Sequence, residues 1–367
     1  MKLGMKKIVL LFSVLILNLH LVAQTDPPQS EEKIKIVKAL GADSLGYVDP
    51  DVLKSYNMGV EFLKNGQLQQ SIEAFNQTIF MKSDFSKAYY NRAIAEKQLG
   101  NYEAAVNDFI KFAEYDTLPV EGYYQAALVY YETSRHDEAI SMLDKALKAD
   151  NTDERFNYQK GVVFYLMEDY DAAIEEFTSA LQKQPNDAYT LNDRGSCKRM
   201  KGDLQGAIYD YEKAVKADPN MVIAWNNLGS ANREFHNYAV ANDAYNKAIL
   251  LDPKNAIYFN NRGYNYYLLG QYTQAVKDFD MAIVLKGDYA FAFSNKSAAL
   301  VKLGKFEQAA AQASKAISLM PGNGYAYLNR GIAREMLRDK NGACEDWLKA
   351  KELGVSSASA HLSNTCN

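Results

Sequence analysis

The sequence predicts an all-α fold, a stack of helical hairpins, and three observations carry that prediction. Prolines keep a fixed beat: Pro185, Pro219, Pro253 and Pro321 stand at multiples of 34 residues. A small residue keeps the same beat through Gly59, Ala93, Ala127, Gly161, Gly195, Gly229, Gly263, Ser297 and Gly331. A second series does so through Ser71, Ala105, Ala139, Ala173, Ala207, Ala241, Ala275, Ala309 and Ala343. Self-similarity at this period means stacked supersecondary units, each burying its apolar face on its neighbours. At 367 residues the chain is too long for one ordinary core, and an array escapes that limit.

The N-terminus follows another logic. Lys2, Lys6 and Lys7 precede an apolar run from Ile8 to Val22, and polar Thr25-Asp26-Pro27-Pro28 follows. A basic start, a short apolar run and a small residue near its end predict a secretory signal peptide over 1–24, cleaved after Ala23 or Gln24. The run is shorter than the roughly 20 apolar residues of a spanning helix, so an uncleaved membrane anchor is the runner-up. The mature chain is then periplasmic or secreted, with no transmembrane segment. Cleavage removes three Lys and no acid, taking the formal net charge from −4 to −7. No basic patch points to nucleic acid.

Residues 25–51 are a linker in which Ile34, Ile36, Val37 and Leu40 suggest one short helix. Setting the small residue at position 8 gives nine units without insertion: 52–85, 86–119, 120–153, 154–187, 188–221, 222–255, 256–289, 290–323 and 324–357. In the sixth, Ala224, Trp225, Leu228 and Ala231 show the three- and four-residue spacing of a first helix, and Ala241, Ala244, Tyr245, Ala248 and Ile249 that of a second. Asp252-Pro253 ends the second helix. The break between helices falls at His236-Asn237, where other units place Gly66, Gly100, Gly202, Gly270 and Gly304, suited to the residue after a helix. Small residues at 8, 20 and 27 bring the two backbones close. Aromatic residues at 24 are expected to fill space between units.

The unit at 256 shows the pattern in full: Phe259, Gly263, Tyr266, Tyr272, Ala275, Phe279 and Ala282, with Gly287 where others have Pro. This resembles the tetratricopeptide repeat over residues 52–357, with nine matches in one phase. Phe112 for Ala at position 27 and Ala313 for the aromatic at 24 are mild departures. The resemblance implies a right-handed superhelical solenoid with a capping helix, here 358–367.

Charges alternate in step with the repeat. Arg at position 7 comes with Asp at 23: Arg92 with Asp108, Arg194 with Asp210, Arg262 with Asp278, Arg330 with Asp346. Lys160 comes with Glu176, and Lys296 with Gln312 is the imperfect case. Apolar position 7 comes with apolar 23, as in Met58 and Ala74. The alternation predicts ion pairs inside each repeat that set geometry more than they stabilise. At the C-terminus, Cys344 and Cys366 lie equally far from Val355, so a hairpin turning there brings them together. A disulfide stapling the cap is the expected outcome, with two separate thiols the alternative.

Catalytic chemistry is not visible. His20, His136, His236 and His361 are too scattered for a metal site. Cys197 has no His placed to activate it, and there is no glycine-rich phosphate loop. The reading is a non-enzyme without cofactor or metal. In the resembled family, positions 2, 5, 6, 9, 12 and 13 of each first helix line a concave face. Here they offer Tyr90, Tyr124, Tyr131, Tyr158 and Tyr165, then Asn192, Arg199, Asn226, Asn227, Ser230, Arg233, Asn260, Asn261 and Tyr264. Amides at successive repeats suit an extended peptide, which offers a donor and an acceptor at every residue; Tyr adds contact area at small entropic cost. The expected function is an exported scaffold binding a protein or peptide. An envelope assembly or chaperone-like factor, an architectural spacer and a glycan-holding accessory are the alternatives.

Overall fold

The computed structural model describes residues 48–366. The predicted signal peptide, the helix expected over Ile34–Leu40 and Asn367 lie outside the described residues. Those described form 19 α-helices and no strand. They divide into two compact units, 48–201 and 202–366. The first unit holds α1 (Pro50–Lys64), α2 (Leu68–Met81), α3 (Ser86–Gln98), α4 (Tyr102–Tyr115), α5 (Val120–Glu132), α6 (His136–Ala149), α7 (Glu154–Leu166), α8 (Tyr170–Lys183) and α9 (Ala188–Met200). The second holds α10 (Leu204–Ala217), α11 (Val222–Glu234), α12 (Tyr238–Leu251), α13 (Ala256–Leu268), α14 (Tyr272–Leu285), α15 (Ala290–Lys302), α16 (Phe306–Leu319), α17 (Gly324–Met336), α18 (Lys340–Glu352) and α19 (Ala358–Thr365). Within each unit every helix packs on the next.

The hairpins are antiparallel. Ser55 Oγ donates to the Ala74 carbonyl, and Ser71 Oγ, one turn back on α2, donates to the Gly59 carbonyl one turn on along α1. Position 20 is fully buried at every Ala of the series. Position 8 shows why small residues recur. A Cβ added to Gly263 would stand 2.8 Å from the Phe279 ring, and one on Gly331 2.4 Å from the Trp347 indole. The position-24 ring therefore lies on position 8 of its own repeat. This corrects the expectation that these rings chiefly separate units: they seal the hairpin from inside, over the gap left by the missing side chain. The Phe112 departure is absorbed in the same way, because Gly122 of α5 leaves room for its ring.

Turns within hairpins share one backbone conformation. Position 15 is left-handed in all nine repeats. Gly adopts it at 66, 100, 202, 270 and 304, but Ser134, Glu168, His236 and Arg338 do so at φ of 58 to 70°. The turn closes by Schellman-type bonds, as where Asp169 N donates to the Phe164 carbonyl and Glu168 N to that of Tyr165.

The C-terminal end folds back as expected. Val355 is buried at the turn, α19 packs on α18, and a disulfide joins Cys344 to Cys366. His361 stacks on Trp347 at 4.7 Å, and Thr365 Oγ1 donates to Glu335.

Candidate functional site

Two polar systems fix how first helices sit side by side. One starts from position 7. Arg262 donates to both carboxylate oxygens of Asp278 at 2.7 and 2.8 Å, as the alternation predicted; Arg92–Asp108 and Arg330–Asp346 repeat the geometry. Each Arg also donates through Nη1 to position 25 of the preceding repeat: Arg92 to Asn76, Arg262 to Asn246, Arg330 to Ser314. Lys160 bridges Glu176 and Asp144, both at 2.8 Å. Lys296, lacking a position-23 acid, pairs with Asp280 of the preceding repeat. The pairs expected inside single repeats form there, and their second contacts also clamp each repeat to the preceding one. Burial pushes the Asp108 carboxyl up in spite of Arg92, so desolvation outweighs the pairing there.

The second system runs from position 5 of one repeat to position 6 of the next. Asn91 Nδ2 donates to the Tyr56 hydroxyl, Asn261 Nδ2 to Asn226 Oδ1 and Asn295 Nδ2 to Asn260 Oδ1, at 2.9 to 3.0 Å. Asn329 donates to the Ser294 carbonyl, and the Tyr158 hydroxyl to Asp193 Oδ2. The ladder forms, but its amides bond one another.

Beside the ladder of the second unit lies a cavity of ≈ 400 Å³, which falls in the size range of ligand sites. Its walls obey the repeat register. Position 2 supplies Ile257, Phe291 and Tyr325. Positions 5 and 6 supply amides including Asn260, Asn261 and Asn295. Position 9 supplies Ser230 and Tyr264, and position 12 Arg233 and Tyr267. Tyr289 and Asn323, at position 34 just before α15 and α17, complete the rim. Tyr264 and Tyr267 stack at 6.1 Å with 10° between ring planes, and the Arg233 guanidinium lies 5.4 Å from the Tyr264 ring centre.

The sequence matches the tetratricopeptide repeat over residues 56–119, 90–154, 124–188, 158–222, 226–290 and 296–352. The chain belongs to the tetratricopeptide repeat family. A stretch of 82 residues is 37% identical to protein FlbA of Caulobacter vibrioides, covering 22% of this chain but only 13% of that one. Two solved structures share the fold. A tetratricopeptide repeat protein of Parabacteroides merdae has a TM-score of 0.56 at 18% identity, covering 68% of this chain and 99% of the other. The C-terminal part of such a protein from Cytophaga hutchinsonii has 0.55 at 18%, covering 65% and 98%.

In this tetratricopeptide chain the predicted site residues fall into two sets. Arg233, Asn260, Asn261 and Tyr264 share the cavity. Asn226 is buried one rung away, and Asn227 is also buried. In the first unit Tyr90 is buried, edge-on to Phe109, and Tyr165 is buried against Tyr170. Tyr124 packs on Phe156 with Arg155 above its face, and Tyr131 is half-buried against the same core. Tyr158 and Asn192 converge on Asp193. Arg199 is half-buried near the end of α9.

Sequence reasoning missed Asp193. It holds position 6, where other repeats carry Asn or Gln, and that substitution was the available signal. Burial pushes its carboxyl up to about 6, against the hydrogen bonds from Tyr158 and Asn192. Tyr289 and Asn323 were missed because position 34 precedes the helix that carries the groove. Cys197 is fully buried beside Phe177, and burial pushes its thiol up. Among the described residues no cluster of three or more His, Cys, Asp or Glu is arranged to hold a metal. No described helix is long and apolar enough to cross a membrane.

Proposed function

We propose that this chain is an exported, non-enzymatic interaction scaffold that takes a protein or extended peptide on its first-helix surface, centred on the cavity of repeats six to nine. One observation carries the reading. The cavity draws on the same register positions in consecutive repeats. Its mix of amides, hydroxyls and half-buried rings suits backbone hydrogen bonding beside apolar anchoring. Export rests on the basic start, the apolar run and the Cys344–Cys366 bridge, which suits an oxidising compartment. For residues 48–201 the spacer reading gains weight, because Tyr90 and Tyr165 are buried.

Capture from an envelope extract tests this. Tyr264→Ala with Tyr325→Ala should abolish capture of the bound partner. Leu250→Ala with Val284→Ala, on exposed sites away from the cavity, should leave it intact. Unchanged capture by the first pair would refute the assignment.

A further inference from the structure

We infer that the cavity of repeats six to nine takes a neutral sugar ring, presented by the captured partner as a glycan. Its hydroxyls meet side-chain groups that the ladder leaves open, and its apolar face lies on Tyr325. The inference rests on the scaffold reading above and names the partner's chemistry.

The first observation is what the cavity amides have left over. Asn261 and Asn295 spend Nδ2 on the ladder, and Asn329 spends its own on the Ser294 carbonyl. Each lines the cavity and keeps an Oδ1 that accepts no bond among the described residues. Asn260 is spent the other way round: Oδ1 accepts from Asn295, and Nδ2 remains. These two amides are bonded at 3.0 Å, so an open donor and an open acceptor stand side by side on the wall. The second observation is independent. The Tyr289 hydroxyl and Asn323 Nδ2 are buried and have no hydrogen-bond partner, although both residues line the cavity. Asn323 Oδ1 is already engaged, capping α17 by accepting from Ala326 N.

The unmet set therefore mixes donors with acceptors. Neighbouring hydroxyls of one sugar ring close such a set, because each both donates and accepts. A carboxylate only accepts and an ammonium only donates, so neither closes it. An extended backbone spreads its polar groups along a line at about 3.3 Å per residue. Here they converge on one hollow of ≈ 400 Å³. Apart from Arg233, which lies over the Tyr264 ring, the lining residues are uncharged, so the ligand is neutral. The rings point the same way. Tyr264 stacks on Tyr267 and Tyr289 packs edge-on to Phe291, but Tyr325 packs on no other ring among the described residues and is 38% exposed. The electron-rich face of an open tyrosine attracts the C–H groups of a sugar ring.

The test applies labelled full chain to an array of neutral oligosaccharides of glucose, galactose, mannose and N-acetylglucosamine. Binding to at least one is expected, weakened roughly 3- to 10-fold by Tyr289→Phe and by Asn323→Asp. Tyr289→Phe deletes an unpaired hydroxyl, and Asn323→Asp keeps the cap acceptor while removing the donor, so neither should lower the melting temperature. In parallel, an envelope extract is treated with mild periodate, which cleaves vicinal diols, and quenched before the chain is added. Capture of the partner should be lost. No binding on the array, or binding indifferent to both variants, overturns the inference. Capture that survives periodate also overturns it, and leaves the scaffold reading standing. Capture of a periodate-sensitive polysaccharide with no protein attached supports the sugar site and refutes the scaffold reading.

Discussion

Asn261 donates from Nδ2 to Asn226 Oδ1 across the junction of the sixth and seventh repeats, at 2.9 Å. Read from sequence, both amides belong to a peptide. In the structure they belong first to each other, and Asn226 is 1% exposed. Asn261→Ala should therefore destabilise by about 1–2 kcal/mol, the cost of orphaning a buried acceptor. Asn226→Ala should cost a similar amount, and the double variant less than their sum. Denaturant midpoints check this; strict additivity would mean the bond contributes nothing. The pair Asn227→Ala with Asn261→Ala, expected from sequence to spare folding, should also lose stability because Asn227 is buried.

The position-7 clamp predicts an asymmetry. Arg262→Ala leaves Asp278 buried without its cation, whereas Asp278→Ala leaves Arg262 able to turn toward Asn246 and solvent. The first should cost about 2–4 kcal/mol and the second less. The double variant should cost less than the sum. Equal, additive costs would show that the contact is incidental.

Asp193 ties stability to pH. Its folded value, about 6, lies above the ordinary 3.8. Burying it is thus favourable when protonated. That contribution is fully present below about 3.8 and is lost as pH rises through 6. Asp193→Asn should remove this loss and gain up to about 2–3 kcal/mol on wild type near neutral pH, and little at pH 4. The comparison is made between the two proteins at each pH, because other carboxylates, Asp150 among them, are held low and act in the opposite direction. A constant difference across pH 4–7 would contradict the assignment.

Glu168 sits at φ 60° where five other repeats have Gly. Glu168→Gly should stabilise by about 0.5–1 kcal/mol, since relief of left-handed strain exceeds the added chain entropy. Thermal melting decides it; a loss of stability would mean that the side chain holds the turn.

The fold was legible because each repeat repeats its burial: Gly263 under Phe279 is the same solution as Gly331 under Trp347, and periodicity reports it nine times. The Arg262–Asp278 pair was legible because both partners vary together within one unit. Asn246 was missed because it lies in the previous repeat, although position 25 is Asn, Asp, Thr or Ser ahead of every Arg or Lys at position 7. Sequence spacing places Asn226 and Asn261 on one surface, yet whether an amide meets a ligand or its neighbour depends on how closely adjacent first helices approach. Tyr289 and Asn323 were invisible for a related reason. Position 34 reads as a loop, and only the packed helix starts turn it toward the cavity.

The central claim is that the partner occupies the surface of repeats six to nine. A photocrosslinking amino acid placed at Tyr325, a partly exposed wall of the cavity, tests it most directly against the same group at Leu250, exposed and outside it. Irradiation in an envelope extract should give a discrete adduct from position 325 and none from 250. Adducts from 250 alone, or from neither position while the partner is still captured, would contradict the account.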